Sequence, residues 1–126
     1  MSNTIIANNV DAGGEAPDCT GQISSQGYNL VQNPAGCALI GGPGDITGED
    51  PKLGPLANNG GPTQTRALLR GSPAIDAGNP APPGSGGAAC EARDQRGVDR
   101  PQDGDADGIA RCDIGAFERR TPRPPR

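Results

Sequence analysis

Apolar positions along this chain come in short bursts, and turn-forming residues close each burst within a few positions. The first is Asn3-Thr4-Ile5-Ile6-Ala7, ended by Asn8-Asn9; its β-branched residues predict a short strand. Asp11 to Asp18 reads as a loop of Gly, Pro and acidic residues. Gln22-Ile23-Ser24 and Tyr28-Asn29-Leu30-Val31 predict two more strands, with Gly27 as the corner between them. Gln32 to Gly36 is a turn, and Cys37-Ala38-Leu39-Ile40 predicts a further strand. Gly41 to Gly48, with five glycines or prolines, predicts a loop.

The pattern resumes after Asp50. Lys52 to Leu56 is short and apolar, Asn58-Asn59-Gly60-Gly61-Pro62 is a dense turn signal, and Thr63 to Leu69 is the best continuous segment in the middle of the chain. Ala74 to Ala77 follows, closed by Gly78. Asn79 to Ala89 is a Pro/Gly loop, Val98 starts one more short strand, and Ile114 to Phe117 is the last apolar run.

No window repeats apolar residues at i, i+3, i+4 and i+7 over three turns, so helix is expected to be scarce. A compact sandwich wants longer alternating strands. Short strands joined by Gly/Asn corners suit a parallel β-helix, where each coil adds short strands and stacks on its neighbours. Corner asparagines there can form ladders that satisfy their amides.

Composition sharpens this. Only eighteen of 126 residues are Ile, Leu, Val or Phe, while Gly and Pro number 21 and 14. So little apolar surface cannot offset the entropy of ordering a large self-sufficient core. What remains is disorder, a small cross-linked fold, or one end of a larger stack. Histidine is absent, which removes Ser-His-Asp and Cys-His catalysis and His-based metal sites. No apolar run is long enough to span a membrane, and the first residues lack the basic and apolar regions of a signal peptide. A net charge of −4 argues against general nucleic-acid affinity.

Four cysteines, Cys19, Cys37, Cys90 and Cys112, are separated by 18, 53 and 22 residues. None forms a CxxC pair, so a zinc ribbon or thioredoxin motif is a weak reading. An even count in a core-poor chain favours two disulfides and an oxidising compartment over four free thiols. Of three pairings, the local one, Cys19–Cys37 and Cys90–Cys112, is expected, each loop contributing roughly 3 kcal/mol.

Asp103-Gly104-Asp105-Ala106-Asp107-Gly108 is the sharpest chemical candidate. A DxDxDG spacing sets three carboxylates on one side of a loop, and calcium takes six to eight oxygens. The twelfth position of an EF-hand loop would be Ile114, not Glu; the nearest acid is Asp113, one residue early. The candidate calcium ligands are therefore Asp103, Asp105, Asp107 and Asp113, against a solvated acidic turn. Asp76 and Asp113, each before an apolar residue and a glycine, read as Asx-turn acids. Asp94 and Arg96 read either as an ion pair tying the last loop to the body or as a solvated pair worth under about 1 kcal/mol. Asp45, Glu49 and Asp50 cluster beside Gly44 and Pro51, where a turn accounts for them. Spacing brings no pair of carboxylates together for polysaccharide cleavage, so the chain is not expected to be an enzyme.

The ordered set GPLANNGGPT, GSPAIDAG, DQRG and CDIGAFE, with NTIIANN and DCTG…GYNLV upstream, resembles the C-terminal region of bacterial secreted right-handed parallel β-helix proteins. It is similar to the choice-of-anchor Q domain of pectin-lyase-like surface proteins, over roughly Asn3 to Glu118. The resemblance implies an all-β fold: the last coils of a right-handed parallel β-helix with a loop-rich, disulfide-linked C-terminal cap. The expected division is 1–49 terminal coils, 50–118 cap and 119–126 a disordered Arg/Pro-rich tail. It also implies an extracellular or cell-surface location and a non-catalytic structural, capping role. The alternative is a fragment of a polysaccharide-binding or polysaccharide-cleaving enzyme. Implied partners are upstream coils of a longer parent and cell-surface carbohydrate; the exposed N-terminal coil suggests a homodimer. Met1 just before a repeat strand reads as a shortened frame or an excised piece.

Overall fold

A computed structural model describes residues 1–9 and 18–120 of the chain. The described residues are all-β, without helix: β1 Ile5–Ile6, β2 Gly21–Ser24, β3 Leu30–Val31, β4 Cys37–Ile40, β5 Ile46–Thr47, β6 Leu53–Ala57 and β7 Thr65–Leu68. No helix among them is long and apolar enough to cross a membrane.

The first five strands form two small parallel sheets, ordered β1-β3-β5 and β2-β4. Leu30 pairs with Ile46, and Gly21 pairs with Cys37, so both sheets advance by sixteen residues at that step. Ile5 pairs with Leu30, which stacks Ile5, Leu30 and Ile46 in one column. These sheets are only two or three strands wide, so the described residues do not build a solenoid. Gly27 is a corner by necessity: a Cβ there would lie 2.6 Å from the Pro43 carbonyl on the next turn of chain, which accepts the Tyr28 amide at 2.9 Å.

The expected asparagine ladder is replaced by one fully buried amide. Asn29 Oδ1 accepts from Thr4 N, while its Nδ2 donates to Met1 O, Ser25 Oγ and Asp45 Oδ1. Asp45 also takes the Ser25 hydroxyl at 2.6 Å. One side chain thus ties three successive passes of chain, because a buried amide must find partners wherever they lie.

β6 and β7 form an antiparallel hairpin. The apolar run Ala74–Ala77 folds as a turn over residues 74–76, and Ile114–Phe117 bends instead of extending, because its backbone is claimed from several directions. Ile114 N donates to Ala74 O, Gly115 N to Asn3 O, and Arg100 holds the Gly115 carbonyl. β5 lies inside the expected Gly41–Gly48 loop; a lone Ile among glycines carries too little pattern to be seen. Near Val98 the pairing is a single Arg93–Asp99 bridge.

The core joins both parts of the chain. Leu30, Leu68, Ala74 and Ile114 are buried together, flanked by Ile5, Ile46, Leu53 and Phe117. Segments 1–49 and 50–118 therefore share one apolar centre on the Ile5–Leu30–Ile46 column. Both local disulfides are closed, Cys19–Cys37 and Cys90–Cys112, with Cα separations of 5.5 and 6.6 Å. They suit an oxidising environment. Arg119, expected in the tail, belongs to the body: its amide meets Asp113 Oδ2, and its guanidinium meets the Gly104 and Leu68 carbonyls. The rest of the tail from 121, and most of the Asp11–Asp18 loop, lie outside the described residues.

A candidate calcium centre in the C-terminal loop

The loop 103–108 curls on itself through its own carboxylates. Asp103 accepts the Asp107 and Gly108 amides, Asp105 accepts Asp107 N, and Asp107 accepts Ile109 N. Gly108 makes the sharp turn with φ of 88°, the left-handed region that glycine enters without cost. This winding draws the alternate aspartates inward, as the DxDxDG spacing implied.

The fourth acid is Asp76, from the Ala74–Ala77 turn. One carboxylate oxygen from each of Asp76, Asp103, Asp105 and Asp107 lies within 4.8 Å of the others. Asp76 Oδ1 accepts the Gly104 amide at 3.2 Å, and its Oδ2 is buried with no hydrogen-bond partner among the described residues. Asp113 is not in this group. It is fully buried beside it, taking Asp76 N on Oδ1 and Arg119 N on Oδ2. Neither acid makes the expected Asx turn; each accepts from a distant segment instead. Asp113 positions the Asp76 backbone. No local spacing could have revealed Asp76, which is brought in by the fold.

Burial first, then the adjoining Asp105 carboxyl and the Asp113 charge, push the Asp76 carboxyl up to about 7 against the pull of the Gly104 amide. Burial and the Glu118 charge raise Asp113 to about 7. Asp105, held by the Asp107 amide, stays below the usual carboxylate range. Four carboxylates crowded together resist full ionisation unless a cation joins them. An all-oxygen donor set with one buried, unpartnered oxygen fits a hard divalent ion, calcium before zinc or copper. Asp76, Asp103, Asp105 and Asp107 would hold it.

Behind the loop, two motifs clasp each other. Asp94 accepts the Arg96 and Val98 amides on Oδ1 and the Glu118 amide and Arg96 guanidinium on Oδ2. Burial opposes ionisation of Asp94, but these bonds outweigh it and hold its pKa below the usual range. The Asp94–Arg96 pair is 2.8 Å long with side chains 0% and 10% exposed, so it is an interior tie rather than a solvated pair. Arg96 also stacks 3.7 Å over Phe117 and donates to the Glu118 carbonyl. DQRG and CDIGAFE are thus two halves of one lock. The chain matches no protein-family model, no curated protein and no solved structure.

Proposed function

We propose that this chain is a non-catalytic structural module, the last coils and cap of an extracellular parallel β-helix surface protein. The observation that supports it best is the common sixteen-residue step of two separate parallel sheets. Independent sheets have no reason to advance together; successive coils of one helix must, since each coil contributes a strand to both. Terminal repeats of stacked folds are atypical and cover the open end. Residues 50–118 fit that part: they lack the coil step, carry a disulfide and the two-motif lock, and pack Leu68, Ala74 and Ile114 on the coil column.

Removing Asp50 to Glu118 tests this. The remaining coils should aggregate, because Leu30 and Ile46 lose the apolar side chains packed against them. Coils that stay soluble, monomeric and β-rich without the cap would defeat the capping role.

A further inference from the structure

We propose that the free edge of β4 is a self-association site, where a second copy of this chain pairs its own β4 antiparallel about a two-fold axis centred on Leu39. β4 has β2 on one side and, among the described residues, no strand on the other; neither β6 nor β7 lies beside it. The hydrogen bonds fix which groups face outward. Gly21 N donates to Gly36 O and Ser25 N to Ile40 O, both at 2.8 Å, and the parallel register runs unbroken between them, from Gly21 with Cys37 to Ser24 with Ile40. In such a ladder alternate residues turn both backbone groups to the same neighbour. Ala38 and Ile40 therefore face β2 with their backbone groups. The Leu39 N–H and C=O, the Cys37 carbonyl and the Gly41 amide face away.

An antiparallel copy satisfies all four groups. With the axis at Leu39, the two Leu39 residues lie directly opposite and exchange both N–H···O bonds, and each Gly41 amide meets the partner's Cys37 carbonyl. The same register sets Ala38 opposite the partner's Ile40 on the outer face. Both are exposed, Ile40 by 51%, so a small residue is matched twice by a large branched one.

Charge favours a second copy as the occupant. No residue from Gln32 to Gly44 is charged, so two copies meet here without setting like charges opposite each other, which destabilises a strand pair. A charged strand from another protein finds no counter-charge on this edge. The other edges carry the usual obstacles to pairing. β6 contains Pro55 and follows Lys52, and β7 contains Arg66. At β1, Gly115 N already occupies the Asn3 carbonyl. β4 has none of these devices. Two four-residue strands bury less than a standard interface, so the dimer is weak, dissociating in the micromolar to millimolar range. The site lies in the coils and holds whether or not residues 50–118 act as a cap.

The test follows the full chain, with both disulfides closed, by sedimentation equilibrium from micromolar to millimolar concentration, together with hydrogen exchange at Leu39. A monomer–dimer equilibrium is expected, with the Leu39 amide exchanging at least about tenfold more slowly in the dimer. A38K/I40K sets like charges directly opposite and should leave a monomer with Leu39 unprotected. A38K/I40E sets opposite charges across the axis in this register alone and should restore the dimer. The exchange measurement on the unsubstituted chain needs no variant, so a misfolded variant does not shelter the proposal. A chain that stays monomeric at millimolar concentration overturns it. So does a dimer in which Leu39 exchanges freely, or one that A38K/I40K leaves intact; either moves the contact to another face, such as the N-terminal coil. Failure of folded A38K/I40E to dimerise overturns the register and the axis at Leu39.

Discussion

Arg100 and Glu118 meet 3.2 Å apart in the interior, with side chains 5% and 0% exposed. Arg100 also donates to the Asp113 and Gly115 carbonyls, and Glu118 accepts the Asp113 and Gln102 amides. The CDIGAFE segment is thereby wound around a buried charge pair instead of being laid in a sheet. R100M should destabilise the fold by about 3–5 kcal/mol, because it strands a buried carboxylate and two carbonyls. Denaturant titration reads this. R100M/E118Q should recover part of the loss; a double variant no better than R100M would show that the pair is not coupled.

Stability should fall as pH rises from about 4 to 7. Asp76 and Asp113 sit at about 7 in the fold against an ordinary value of 3.8. Between these values the folded chain binds more protons than the unfolded one, so the slope is negative. Their contribution is complete below 3.8 and lost as pH climbs through 7. D76N, which keeps an acceptor for Gly104 N, should flatten the slope in thermal melts. A melting temperature that rises steadily across this window would contradict the assignment.

Calcium should reverse that loss. At pH 7.5, adding the ion should raise the melting temperature and excess chelator should return it, since a ligand that binds only the fold stabilises it by mass action. D105N and D107N should each weaken the response, and D113N should act on the baseline stability more than on the calcium increment. Calorimetric titration with no heat at millimolar calcium would remove the centre.

Gly78 is required by space rather than by its backbone angle. A Cβ there would lie 2.5 Å from Cys112 Sγ, 2.9 Å from the Cys112 carbonyl oxygen and 3.0 Å from Cys90 Sγ. G78A should therefore destabilise the chain by about 1–3 kcal/mol through overpacking. Reduction of both disulfides should cost more, roughly 3 kcal/mol for each loop. Under reductant G78A should cost less, as the sulfurs are free to part, but the Cys112 carbonyl keeps part of the penalty. An equal penalty in both states would place the clash on that carbonyl rather than on the sulfurs.

Local chemistry was legible in the sequence where it is self-contained. β4 matches Cys37–Ile40, the turn at Asn58 to Pro62 separates β6 from β7, the aspartates of 103–108 converge, and the cysteines pair with their nearer partners. These depend on side chains a few residues apart or on short loops, so spacing carries them. Ile46 in β5 and the bend at Ile114–Phe117 were not legible. There the conformation is set by partners such as Asn29, Asn3 and Arg100, which lie outside the local segment.

The sequence alone determined that this chain cannot rest on a large apolar core, must be built from short extended pieces, and carries the means to cross-link them. Tertiary structure alone decided which pieces stack, that Asp76 joins the acidic loop while Asp113 turns inward, and that Glu118 is buried against Arg100. The reason is physical: chain flexibility and turn chemistry are properties of neighbours in sequence. The burial that sets pairing, charge state and partner choice exists only once distant segments exclude water together.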